Sequence, residues 1–186
     1  MRYKKEEETA LNKIYIATVN LIKQKDYSQI TISEIIREAK ISRSTFYIYF
    51  KNKDQILTHV CDDIFNHIFS KNLTKEQEHD FSNAKSDDII KILTHSLYHF
   101  LEDKELIIPI LNSAASSIFL KQLRKRIKPI ISSLIDRKVI GNNDVPLDMK
   151  THQYINSFTS LLQYYLRHAS DQNPELMCKY FLTLCQ

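Results

Sequence analysis

Apolar residues return along this chain at helical spacing. Ala10, Leu11, Ile14, Ala17, Thr18, Leu21 and Ile22 recur at steps of three and four, which predicts an amphipathic first helix over about 6–25 that stops near Asp26-Tyr27-Ser28. Thr31-Ile32-Ser33-Glu34 then has the form T-x-x-E of a capping box, so a second helix starts there. Ile32, Ile35, Ile36 and Ala39 lie on its inner face, and Ser33, Glu34 and Arg37 stay outside. Lys40-Ile41-Ser42 makes a short break. Ser42 offers a cap for a third short helix from Arg43 to Tyr49, in which Phe46 and Phe50, four apart, belong to the core. Asn52-Lys53-Asp54-Gln55 offers another cap, and Leu57, Val60, Cys61, Ile64 and Ile68 predict a fourth helix to about Ser70.

Beyond it the pattern turns polar from Lys71 to Lys85, a loop between a small N-terminal module and a larger body. Ser86, Asp87 and Asp88 open a fifth helix with Ile89, Ile90, Leu93, Leu97, Phe100 and Leu101 inside. Leu106 to Leu111 is a short apolar segment interrupted by Pro109. A longer pattern from Phe119 to Ile135 contains Pro129, where a bend or restart is expected, and it ends at Gly141 as a C-cap followed by Asn142-Asn143-Asp144. Leu147 to about Ala169 forms the next helix, with Tyr154, Ile155, Phe158, Leu161, Leu162, Tyr165 and Leu166 on its apolar face. Asn173-Pro174-Glu175 starts the last, with Leu176, Met177, Tyr180, Phe181 and Leu184 in one stripe. The expected fold is all-α, about nine helices, divided into a module over 1–55 and a helical body over 56–186.

Composition narrows the chemistry. One Gly and four Pro in 186 residues leave little room for a many-turned β fold or for a glycine-rich phosphate loop. Three cysteines without CxxC spacing (Cys61, Cys178, Cys185) fit neither a disulfide framework nor a cysteine zinc site; Cys178 and Cys185 read as buried hydrophobes. There is no apolar run of membrane-spanning length, and Met1-Arg2-Tyr3-Lys4-Lys5-Glu6 lacks a signal-peptide core, so a cytoplasmic protein with no membrane partner is expected.

Charge is distributed unevenly. Residues 1–55 hold 11 Lys and Arg against 7 Asp and Glu, a surplus of four, and the remainder of the totals, 26 − 11 and 22 − 7, is 15 of each. The whole excess lies in the module, which points to a polyanion partner there.

The run from Ile30 to Lys53, densest in Thr45-Phe46-Tyr47-x-Tyr49-Phe50-x-x-Lys53, resembles the DNA-binding signature of the TetR family of bacterial one-component regulators. The match is specific over roughly residues 10–60 and extends further only by length and helical content. Where such regulators usually carry glycine, this chain has Asp26, Lys40 and Ser44; Asp at a helix end tolerates the left-handed conformation.

In a helix-turn-helix unit the second helix enters the major groove by its N-terminal end. Arg43 and Ser44 open that helix beside the Ser42 cap, and an arginine there pairs with guanine O6 and N7, worth about 1–3 kcal/mol of discrimination. Thr45, Tyr47, Tyr49 and Lys53 are spaced for flanking phosphates, a role the resemblance also implies; Thr31 and Ser33 suit the backbone at the start of the preceding helix, and Arg2, Lys4 and Lys5 add charge. Half-buried packing is the alternative for Tyr47 and Tyr49, and simple solvation for Arg43.

The resemblance further implies a homodimer joined through the last two helices, a palindromic double-stranded operator, and a small-molecule effector between the fifth and eighth helices that moves the fourth and releases the DNA. Packing inside one subunit explains the apolar faces of the last two helices nearly as well. Repression is expected over activation. The alternative is a helical co-regulator or activator acting mainly through a protein partner. No enzyme is expected, since no nucleophile, base and orienting group assemble from adjacent motifs. No cofactor is expected either. His95 with His99, and His59, Asp63 and His67, align metal-capable groups at i, i+4 but read as solvated or locally bonded, with no metal; Lys121, Arg124, Lys125, Arg126 and Lys128 read as a solvated helix face.

Overall fold

The computed structural model describes residues 9–70, 80–83, 85, 88–141, 144–168 and 173–186. Among these there are nine α-helices: α1 (Ala10–Gln24), α2 (Ile32–Ala39), α3 (Arg43–Tyr49), α4 (Lys53–Ile68), α5 (Ile89–Glu102), α6 (Lys104–Leu111), α7 (Ser116–Asp136), α8 (Leu147–His168) and α9 (Pro174–Leu184), with a 3-10 turn at Tyr27–Gln29. No strand occurs among the described residues, as the scarcity of glycine predicts. The arm Arg2, Lys4, Lys5, the beginning of the first helix, most of the polar loop after Ser70, Ser86, Asp87, Asn142, Asn143 and Ala169 lie outside the described residues.

The chain forms two compact units, one of the residues through Asp63 with Glu105–Phe119, the other of Ile64–Lys104 with Leu120–Gln186. In the first, α1 packs on α2 and α3, and α2 on α3. Ile14, Ala17, Ile22, Ile30, Ile35, Ala39, Phe46 and Phe50 are buried, so the stripes read from spacing are the core. In the second, α9 packs on α5 and α8, around Leu93, Leu97, Phe100, Leu134, Phe158, Leu162, Tyr165 and Phe181.

The helix starts are built from side-chain caps that satisfy otherwise orphaned amides. Thr31 Oγ1 accepts from the Glu34 amide at 3.2 Å, and Glu34 Oε2 accepts from the Thr31 amide at 2.9 Å, which is the expected capping box. Ser42 accepts from Thr45 N at 3.0 Å, Asn52 from Gln55 N at 2.9 Å, Asp88 from Lys91 N at 3.2 Å and Asn173 from Leu176 N at 2.7 Å.

Three expectations about the breaks are corrected. The segment with Pro109 is itself a helix, α6, and of the bend or restart expected at Pro129 the restart does not occur, since α7 continues through it as one helix. An interior proline costs about 3 kcal/mol, but Leu106, Ile107 and Ile110 around the first and Ile127, Ile130 and Ile131 around the second are buried, at about 1.5–3 kcal/mol each. Burial wins. Helix α7 ends at Asp136, not at Gly141: Lys138 takes the left-handed conformation (φ 56), Val139 N donates to Leu134 O and Lys138 N to Ile135 O, which is a Schellman stop built on lysine. Gly141 instead lies where a Cβ would come within 3.1 Å of the Tyr154 ring; its amide donates to Cys185 O at 3.0 Å and its carbonyl accepts from Lys150 Nζ at 2.9 Å.

The third correction concerns Asp26, which is not left-handed (φ −57). It caps the 3-10 turn, its carboxylate accepting from Ser28 N at 2.7 Å and Ser28 Oγ at 2.5 Å. Of the three positions where glycine is usual, only Lys40 uses the left-handed region (φ 53), ending α2 with Ile41 N on Ile36 O. Ser44 is ordinary helix.

Candidate nucleic-acid interface

Helix α3 is held to the core by one face. Phe46 is fully buried and Phe50 nearly so, with ring centres 6.3 Å apart. At about 100° per residue, positions 43, 44, 47, 48 and 49 are left to turn outward, and Arg43, Ser44, Tyr47, Ile48 and Tyr49 are all exposed. Tyr47 and Tyr49 are each 44% exposed, so both rings are available on the surface.

The exposed side chains are not independent. The Tyr47 ring stands edge-on to Phe46 at 5.3 Å and 85°. The Arg43 guanidinium carbon lies 5.8 Å from the Tyr47 ring centre, within cation–π range. A buried phenylalanine therefore positions a tyrosine, and the tyrosine positions the arginine that opens the helix. Beside it, Ser42 Oγ is 2.8 Å from Ser44 Oγ and 2.7 Å from Thr45 Oγ1, a cluster of three hydroxyls at the start of α3.

Thr31 and Ser33 are exposed at the start of α2. The Thr31 hydroxyl is engaged in the capping box, donating to Glu34 Oε2 at 3.0 Å. Glu34 also accepts from Lys25 Nζ at 2.6 Å. That bond first, and the two Thr31 donors after it, pull the Glu34 carboxyl down to about 2.

Lys53 is the least like a free phosphate contact. Its ammonium donates to three carbonyl oxygens, Tyr27 at 2.9 Å, Ile30 at 3.1 Å and Ser28 at 3.3 Å, all in the segment that enters α2. An ammonium has three donors, and here each has an acceptor.

The residue that spacing arguments passed over is Ile48, 76% exposed in the middle of α3. A signal was available: two residues from each of two buried phenylalanines, position 48 must face away from the core. An isoleucine on that face is unexplained by folding.

Among the other sets, Lys121, Arg124, Lys125 and Lys128 are exposed along α7, the solvated face expected. All three cysteines are free and buried, and burial pushes the Cys61 thiol up to about 12 and Cys185 to about 11, so they behave as apolar packing groups. Phe158 and Phe181, on the apolar faces of the last two helices, are buried within one chain with ring centres 5.5 Å apart. The exposed apolar residues of the last two helices are Leu147, Met149, Tyr164, Tyr180 and Leu184. An open groove of about 710 Å³ is lined by Val145, Met149, Lys150, His152 and Tyr154 at the start of α8. No single helix among the described residues is long and apolar enough to cross a membrane.

Comparison with known proteins agrees with this geometry. Residues 14–60 match the family model of bacterial regulatory proteins of the tetR family, and residues 87–186 match that of a transcriptional regulator C-terminal region. An uncharacterized HTH-type transcriptional regulator of Haemophilus influenzae is 28% identical over 116 residues, 62% of this chain and 59% of that protein. The regulator YxbF of Bacillus subtilis, likewise uncharacterized, is 26% identical over 93% of this chain and 43% of its own length. The chain thus spans about half the length of these curated relatives. A TetR transcriptional regulator from Streptococcus agalactiae superposes with a TM-score of 0.77 at 26% identity, covering 95% of this chain and 93% of that one. The dihydroxyacetone kinase operon activator DhaS has the same fold, with a TM-score of 0.62 at 17% identity over 96% of this chain and 95% of that one. With a matching family model over each part and a helix-turn-helix whose second helix is exposed, the chain belongs to the TetR family of transcriptional regulators.

Proposed function

We propose that this protein is a ligand-responsive repressor that binds a palindromic operator as a homodimer and is released from it by a small-molecule effector. The observation that carries the DNA-binding part is the outward face of α3, where Arg43 is braced by Tyr47 beside a three-hydroxyl cluster. Residues 1–55 serve as the DNA-binding domain and 56–186 as the sensing and dimerisation domain. Arg43 pairs with a guanine edge and Ile48 packs on a thymine methyl, the two contact types that specify sequence in the major groove. Thr31, Ser33, Ser42, Ser44, Thr45, Tyr47 and Tyr49 position the module on phosphates and groove edges. Lys53 contributes charge while bracing the module from within.

A homodimer through α8 and α9 is supported by Tyr164, Tyr180 and Leu184, large apolar side chains left exposed on both helices. Two copies place two α3 helices on successive major-groove faces, about one helical turn apart, so a palindrome is the matching site. Effector binding between α5 and α8 shifts α4 and changes that spacing. Such a regulator works in the cytoplasm, beside the DNA it binds.

Selection of bound fragments from random DNA tests the reading. A palindromic site with half-sites about one turn apart is expected; enrichment of unrelated sequences at equal affinity would overturn it. A second reading has its own support. DhaS of Lactococcus lactis, a transcriptional activator of the dhaKLM operon, is 36% identical over 53 residues, which favours activation over repression; action through a protein partner is the form of activation we pair with it. Weak, sequence-independent binding in the same selection would support that alternative.

A further inference from the structure

We propose that His67, His99 and Glu102 form a site for a divalent transition metal ion of the zinc class, with His95 orienting His99, and that this ion is a second signal the body senses, apart from the small-molecule effector between α5 and α8; the sensing role rests on the ligand-responsive reading above. Spacing along each helix reads His95 with His99, and His59, Asp63 and His67, as solvated or locally bonded groups with no metal. The structure regroups them. His67 leaves its own set on the last turn of α4, while His59, at the other end of that set, is exposed with its ring 6.4 Å from Tyr15 and 6.0 Å from Phe50.

One ligand atom from each of His67, His99 and Glu102 lies within 4.8 Å of the other two. The His67 and His99 rings are 4.3 Å apart, and His99 Nδ1 is 2.9 Å from Glu102 Oε2. A tetrahedral ion with bonds of about 2.0–2.1 Å wants adjacent ligand atoms about 3.3 Å apart, a closure that side-chain rotation supplies. His95 Nε2 lies 3.1 Å from His99 Nε2. If Nε2 of His99 donates there, its Nδ1 presents a lone pair toward Glu102 and His67, which is how a second histidine fixes a ligand's tautomer and direction. His95 and His99 are each 1% exposed, and the Phe81 ring stands 5.3 Å from His95. Core packing alone would be served better by apolar residues at these positions.

The donor set names the ion. Two imidazole nitrogens and one carboxylate oxygen suit zinc, and also cobalt or nickel, while magnesium and calcium take oxygen ligands. Its place suggests its effect: an ion there ties the last turn of α4 to α5, and α4 is the helix whose first residue is Lys53.

The full chain, stripped of metal by a chelator and dialysed, is titrated with zinc against a chromophoric competitor. One ion per chain is expected, with no competition from magnesium. His67→Gln and His99→Gln should each weaken binding at least about 100-fold, and His95→Gln about 10–100-fold, with His59→Gln unchanged. If His99→Gln loses its circular dichroism signal, the half-exposed His67→Gln decides. Wild type that takes up no zinc, or zinc affinity unchanged in His67→Gln, overturns the site. Affinity for the selected DNA is then measured with zinc and with chelator. A change of about 5–150-fold, abolished in His67→Gln, is expected; equal affinity overturns the sensing role. Failure to bind any DNA specifically in either state overturns the repressor reading and sensing with it, while the zinc titration still decides the site.

Discussion

The ammonium of Lys53 lies 4.5 Å from the centre of the Tyr27 ring and 2.9 Å from the carbonyl oxygen of the same residue. At the other end of that ring, the Tyr27 hydroxyl donates to Asp54 Oδ1 at 3.0 Å. Two consecutive residues at the start of α4 thus grip one buried tyrosine by its backbone, its face and its tip. The segment they grip leads directly into the Thr31 cap of α2, so the helix that leaves the module also sets the approach to the helix-turn-helix.

Lys53→Met should therefore act on folding first. Losing a charged donor to three carbonyls costs about 1–3 kcal/mol, read as a lower urea midpoint. The slope of log affinity against log salt should change by less than about one unit. A phosphate contact would give the reverse, a full unit of slope with an unmoved midpoint.

Arg43 carries the prediction for readout. Arg43→Ala should weaken the selected site by about 1–3 kcal/mol and relax preference at one position per half-site. Since Tyr47 braces the guanidinium, Tyr47→Leu should remove part of the same discrimination, about 0.5–1 kcal/mol, and add little in the Arg43→Ala background. Equal losses on selected and random DNA would make Arg43 a phosphate contact.

The helices, their caps and the core stripes were legible because each rests on local spacing: Thr31 and Glu34, Ser42 and Thr45, Phe46 and Phe50. The stops were less so. Lys40 and Lys138 adopt a conformation that lysine disfavours by about 1–2 kcal/mol, closing the backbone bonds of Ile41 N to Ile36 O and Val139 N to Leu134 O, a use of lysine that residue propensity does not signal. Arg43 and Tyr47 were legible as surface residues from the helical wheel, but the carbonyls that engage Lys53 lie more than twenty residues away in sequence, and so does the approach of His67 to His99. Spacing reads neighbours along a helix; it does not read partners between helices.

The exposed apolar residues make the assembly testable. Leu184 is 72% exposed whereas Phe158 is 2% exposed. Leu184→Asp should give monomers with an unchanged circular dichroism spectrum, because a charge placed in an interface is unpaired only in the dimer. Phe158→Asp should instead unfold the body, since it buries a charge against Phe181 within one chain. Sedimentation showing Leu184→Asp still dimeric would remove that end of α9 from the interface.

Acid should probe the Lys25–Glu34 contact. Hydrogen bonding from Lys25 first, then from the Thr31 amide and hydroxyl, holds the Glu34 carboxyl at about 2, below its ordinary value of 4.5. The folded state therefore binds this proton more weakly than the unfolded chain does. The stability so contributed is fully present above about 4.5 and is lost as pH falls toward 2. Unfolding free energy should decline through that window in wild type and decline less steeply in Glu34→Gln, which keeps the side-chain shape but has no proton to gain. Glu38→Gln, on the exposed face of the same helix, controls for the change in net charge. Parallel curves for wild type and Glu34→Gln would mean that the Lys25 contact does not persist in solution and that the Thr31 cap stands without it.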